Sequence, residues 1–163
     1  MCQADFSCSL SPLAQCVHAY LAQRAGNTDP ARPFTGRIAY GRLCTALDPR
    51  HQYWVPRRYK GIGQILGQVS SYEHAHGRPM LSALVVQAAS KRPGKGFVEL
   101  ARSLGVPVIP GHEMDFWRNE VKHVIAHWTG QTSRSEDFPY VEKARARLAW
   151  IGRELTDVQR LLG

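Results

Sequence analysis

Hydrophobic positions along this chain recur mostly at spacings of three and four, and two stretches break that period. Leu13, Cys16, Val17, Tyr20 and Leu21 repeat at helical spacing as far as Gly26. Ser11-Pro12, just ahead of them, has the form of an N-cap followed by proline at the first helical position. Ile62, Ile65, Leu66, Val69 and Tyr72 fall on one face of a second helix that ends near Gly77. Trp117, Val121, Val124, Ile125 and Trp128 mark a third helix, running from Glu113 to Trp128. Shorter helices are predicted from Gly41 to Leu47, closed by Asp48-Pro49, and from Gly96 to Leu104. The period breaks at Arg37 to Ala39 and at Met80 to Val86, both read as extended, and Val106 to Ile109 is a further extended candidate between prolines. GNTDPARPFTG, from Gly26 to Gly36, is a loop by composition.

Beyond residue 130 the pattern changes. Residues 131–139 are polar and read as a linker. In 140–163, Val141, Ala144, Leu148, Ile151, Leu155, Val158 and Leu162 alternate spacings of three and four, the 3.5-residue period of a coiled-coil seam. Such a seam predicts a homodimer through residues 141–162. The alternative is a helix that packs back on its own domain.

Composition narrows the function. The 163 residues, 44% of them hydrophobic, suffice for one core, which places a single globular domain at 1–130. No apolar run is long enough to span a membrane, and the first residues lack the pattern of a secretory signal, so the expected location is cytoplasmic. The four cysteines, Cys2, Cys8, Cys16 and Cys44, show no paired spacing and are expected as reduced thiols. Cys8, Cys16 and His18 have the wrong spacing for a common zinc knuckle, and no metal or other cofactor is predicted. Lys and Arg outnumber Asp and Glu by 21 to 13, giving a net charge of +8, which favours a polyanionic partner.

The charges sit where such a partner could use them. The order of elements from 36 to 110 runs strand, short helix, connector, longer helix, apolar strand, basic tip and return. That is the order of a winged helix-turn-helix, whose second helix enters the major groove while a hairpin wing touches the backbone. On this reading Gln64, Gln68 and Ser71, opposite the apolar stripe, read base edges. Arg57, Arg58 and Lys60 hold phosphates at the helix entrance, and Lys91, Arg92 and Lys95 do so from the wing. The expected fold class is therefore α/β of the α+β kind: a winged-helix-like core with a small β-hairpin, plus a C-terminal amphipathic helix.

Tyr40-Gly41-x-Leu43-Cys44, Lys60-x-x-Gly63-x-x-Leu66 and the apolar run after Arg78-Pro79 together resemble the DNA-binding domain of the alkylguanine-alkyltransferase and alkyltransferase-like family. The resemblance covers residues 38–86 and implies a winged helix-turn-helix that meets DNA through its second helix. The family's reactive Pro-Cys-His-Arg motif is replaced by Arg78-Pro79-Met80-Leu81, and Lys60 stands where the family has its stack-intruding arginine. Alkyl transfer is accordingly not expected. GRPMLSALVV and PGKGF are also similar to segments of bacterial and phage-borne proteins, a setting that would suit a regulator or a defence or counter-defence factor.

Rival chemistry is thinner. Gly61-x-Gly63-x-x-x-Gly67 follows RRYK rather than a strand, which argues against a dinucleotide loop. Glu73, His76 and Ser82 lie near the basic tip in sequence and define an alternative catalytic set for a metal-dependent nuclease or nucleotide-processing enzyme. Glu120, His123 and His127 share a helix flank without the His-Glu-x-x-His order. Tyr53, Trp54, Arg57, Arg58 and Tyr59 mix aromatic faces with charge and could stack bases. A third alternative is an inhibitor whose basic face meets an acidic protein. The leading expectation is a non-enzymatic nucleic-acid-binding module, with duplex DNA as ligand.

Overall fold

A computed structural model describes residues 10–50, 52 and 60–130. The linker, the heptad segment with its predicted dimer seam, and the connector holding Tyr53, Trp54, Arg57, Arg58 and Tyr59 lie outside the described residues.

Five helices and two very short strands make up the described chain: α1 (Pro12–Gly26), β1 (Ile38–Ala39), α2 (Tyr40–Leu47), α3 (Ile62–Ala75), β2 (Val85–Val86), α4 (Lys95–Ser103) and α5 (Glu113–Gly130). This is a helix-rich mixed α+β arrangement. The periodic segments became helices close to their predicted bounds. The Ser11 hydroxyl accepts from the Ala14 amide at 3.3 Å, satisfying one of the orphan donors at the start of α1.

The core forms where α1, α3 and α5 close around residues 81–84. Leu81, Ser82, Ala83 and Leu84 are all buried, so their backbone polar groups need partners inside the protein. The Ala83 amide donates to the Met80 carbonyl at 3.0 Å and the Val85 amide to the Ser82 carbonyl, and side chains supply further partners. The Met80 amide donates to Glu120 Oε1 at 2.7 Å, and the Trp117 indole donates to the Ala83 carbonyl at 2.8 Å. The Ser70 hydroxyl donates to Ser82 Oγ at 2.6 Å within the same layer.

Here the expected strand is corrected. Met80 to Val86 does not run extended throughout: Leu81–Leu84 is a 3-10 turn, and only Val85–Val86 is strand. Nor does it return as a hairpin. β2 pairs in parallel with β1, Ile38 against Val85 and Ala39 against Val86, and the chain passes from the basic turn into α4. The physical reason lies in the run itself. Leu84, Val85 and Val86 are buried without alternation, as suits a strand covered on both faces and joined to its partner by a long crossover. Val106 to Ile109 forms no strand; Val108 is buried and Ile109 lies open to solvent. α2 packs on the two strands, whereas α3 packs on α1 and the 81–84 turn.

Gly36 marks a close approach between the 26–36 loop and the core. A Cβ there would stand 2.7 Å from Thr28 Oγ1 and 3.0 Å from Ile125 Cδ1. Gly36→Ala is expected to cost about 1–3 kcal/mol through this overpacking, read as a lower urea midpoint with an unchanged m-value.

Candidate nucleic-acid interface

Parallel pairing brings the residues that follow each strand to one edge. After β1 come Tyr40, Gly41 and Arg42 at the start of α2; after β2 comes the turn from Gln87 to Arg92. Between them opens a cleft of about 1370 Å³, at the carboxyl ends of the strands, where ligands of open α/β sheets bind. Among the described residues its walls carry four cations, Arg24, Arg37, Arg42 and Lys91, and three aromatic rings, Tyr20, Phe34 and Tyr40, with no aspartate or glutamate.

Two of the arginines are held in place without losing their charge. Arg24 donates from Nε to the Gly36 carbonyl at 2.7 Å and from Nη2 to the Arg37 carbonyl at 2.8 Å. Arg37 donates from Nε to the Phe34 carbonyl at 2.8 Å and from Nη1 to the Lys91 carbonyl at 3.1 Å, with its guanidinium 5.4 Å from the Phe34 ring centre. Neutral carbonyls orient these guanidinium groups, and each keeps further N–H donors for a ligand. Among the described residues no carboxylate pairs with any of the four cations. α2 adds to the positive field, because Ala39 at its cap position offers no side-chain acceptor to the first-turn amides.

The turn that carries Lys91 is built to present it. The Gln87 amide donates to the Arg92 carbonyl at 2.8 Å and the Lys91 amide to the Gln87 carbonyl at 3.0 Å. Lys91 itself sits at φ 56°, a left-handed conformation that costs a side-chain-bearing residue roughly 1–2 kcal/mol. Strain of that kind persists where surrounding contacts impose it, here the Arg37 bond to the Lys91 carbonyl. Tyr40 braces the far side. Burial raises its phenol above the ordinary value, and a hydrogen bond from the Gly94 backbone works in the other direction.

The residues expected to act together divide between two places. Lys91 lines the cleft, Arg92 is exposed beside it, and Lys95 is the first residue of α4. Gln64 and Gln68 are exposed on α3 and Ser71 is half-buried, while Lys60 is exposed ahead of the helix. Gln68 accepts from the Ser11 hydroxyl at 2.9 Å, at the N-terminal end of α1, whereas Arg24 borders the cleft from the other end. Thirteen residues of helix separate those two anchors, roughly 20 Å at 1.5 Å per residue. Arg57 and Arg58 lie outside the described residues. Arg24, Arg37 and Arg42 were not among the expected contacts. Only Arg42 follows a strand; Arg24 belongs to α1 and Arg37 precedes β1, so the parallel pairing and the approach of α1 had to be known before the three could be grouped.

Each member of the alternative catalytic set has a contact of its own within the fold. Glu73 is fully buried; its Oε1 accepts from Arg78 Nη2 at 2.8 Å and lies 2.6 Å from His18 Nε2. The rings of Tyr72 and Trp128 flank both the His18 imidazole and the Arg78 guanidinium. Burial works against ionisation of Glu73, but the bonds and charges of His18 and then Arg78 outweigh it and hold the carboxyl below its ordinary value. Ser82 is engaged with Ser70, and His76 is exposed, its Nδ1 2.8 Å from the Tyr72 carbonyl. Glu73 therefore reads as the centre of an internal ion network. Cys16 and Cys44 are buried, and burial together with nearby Asp48 pushes the Cys44 thiol up to about 11, which leaves it a poor nucleophile. Glu120 is engaged by the Met80 amide, with His123 3.9 Å away. Among the described residues no three His, Cys, Asp or Glu side chains gather as a metal site, and no helix is long and apolar enough to cross a membrane.

No family model matches the chain, and no curated protein or solved structure does.

Proposed function

We propose that the protein binds nucleic acid, gripping the phosphodiester backbone through the cleft at the carboxyl ends of β1 and β2. The observation that carries this reading is the lining itself: four cations that, among the described residues, neither pair with a carboxylate nor have one beside them in the lining. A net charge of +8 supplies the long-range attraction, and the carbonyl-anchored arginines supply fixed donors for phosphate oxygens. Lys91 and Arg92, from the turn between β2 and α4, and Lys95, at the first position of α4, take the backbone-contacting role expected of a wing. Gln64, Gln68, Ser71 and Lys60 then form a second contact surface on α3. The heptad segment makes the working unit a homodimer.

Salt dependence tests the reading. The four cleft cations alone predict a slope of about −2.8 to −3.6 in log K against log salt, so affinity for a labelled oligonucleotide falls by at least about fifty-fold between 50 and 200 mM salt, and further with Arg92 and Lys95 engaged. Lys91→Gly is the cleanest variant, because glycine adopts the left-handed conformation freely and its own entropy cost roughly offsets the strain relieved. Its stability should stay within about 0.5 kcal/mol of the parent while the slope shrinks by about one contact. Arg42→Ala, at an exposed position, should do the same. Binding that ignores salt, or slopes untouched by either change, would remove the basis for phosphate contact.

A further inference from the structure

We infer that the strand held in this cleft is single-stranded nucleic acid, with bases stacked on the cleft's aromatic rings while phosphates lie on its arginines and Lys91; this rests on the nucleic-acid reading above. Three features lead there. The cations line a concavity, whereas a duplex groove accepts a protruding helix or ribbon. The same concavity holds Tyr20, Phe34 and Tyr40 among the cations, and aromatic faces gain stacking energy only from bases that are out of a duplex stack.

The third feature is continuity. A second cavity of about 610 Å³, bordered by Gln23, Asn27, Arg32 and Thr35, shares Tyr20 and Arg24 as a common wall with the first. The larger cavity alone exceeds the roughly 300–1,000 Å³ of a typical small-molecule site. The two adjoin at Tyr20 and Arg24, near the C-terminal end of α1, so that a strand passing over that shared wall would meet both. One carboxylate borders the outer limb, Asp29, and its Oδ1 is occupied by the Ala31 amide at 2.9 Å. Tyr20 stands where the two limbs meet, half-buried, with its ring on the wall of both. It is the residue placed to stack a base at the bend. The Arg37 guanidinium over Phe34 offers a second flat surface of the kind on which unpaired bases rest.

The experiment compares a fluorescein-labelled twelve-nucleotide single strand with the same strand annealed to its complement, using the full chain and one salt concentration. The single strand should bind at least about tenfold tighter. Tyr20→Leu should lower single-strand affinity by about five- to 150-fold, the range for losing one stacked base, and Tyr20→Phe should restore it. The ratio of single-strand to duplex affinity in the unaltered protein stands even if Tyr20→Leu folds poorly. Equal or tighter duplex binding, or a Tyr20→Leu variant that folds and binds as the parent does, overturns the single-strand inference and leaves phosphate binding intact. Failure of both probes to bind in a salt-dependent way overturns the nucleic-acid reading itself.

Discussion

Glu73→Ala is expected to destabilise the protein by about 3–5 kcal/mol, the usual cost of removing one partner from a buried ion pair. The carboxylate is wholly enclosed, and its loss removes the ion-pair partner of the Arg78 guanidinium, 11% exposed and set beside the Tyr72 and Trp128 rings, together with the contact to buried His18. For a chain of this length that corresponds to a fall of about 6–20 °C in Tm. A double-mutant cycle with Arg78→Ala should give a coupling energy of about 0.5–3 kcal/mol, and additivity within error would show that the pair is not coupled. The pH dependence follows from the direction of the Glu73 shift. Its folded pKa lies below the ordinary value of 4.5, so the stabilisation is fully present above that value and is lost as pH falls through the folded pKa. Urea melts at pH 7 and pH 3 should therefore differ more for the parent than for Glu73→Gln. Equal differences would place the acid sensitivity elsewhere.

Trp117→Ala should cost a similar amount, about 3–5 kcal/mol, because it empties a large buried volume between α5 and the 81–84 turn. The ring is 3% exposed, tilts against Phe34 at 6.0 Å and donates its indole N–H to the Ala83 carbonyl. Trp117→Phe separates the two contributions. It keeps most of the apolar surface but leaves the buried Ala83 carbonyl without its donor, at about 1–3 kcal/mol. A Trp117→Phe variant within about 0.5 kcal/mol of the parent, inside the range of ordinary surface changes, would show that the carbonyl finds another partner.

The helices were legible because their signals are local. Ser11-Pro12 began α1, and the faces of α3 and α5 were readable from residues three and four apart. The 80–86 run was misread because an apolar stretch of that length looks alike as strand or buried turn. Its true partners, Glu120, Trp117 and β1, lie 34 or more positions away. The ion network left a trace: Glu73 follows Val69 by four, and His18 follows Val17 inside the buried stretch of α1, so both polar residues fell at core positions. The cleft left less, since Arg24, Arg37, Arg42 and Lys91 come from four separate segments. Lys91 was singled out from the composition of its turn, whereas grouping the others with it needed the parallel pairing that no local pattern announces.

That pairing is only two residues long on each side, too little to persist by itself. β1 and β2 depend on the helical interior for their pairing, so the shape of the cleft is thermodynamically tied to folding of the domain around it. On the proposed function, a strand held there would act as a brace: at a hundred times its Kd it would add about 2.7 kcal/mol to the unfolding free energy. A melting shift that grows with oligonucleotide concentration would thus report the site without any label on the ligand.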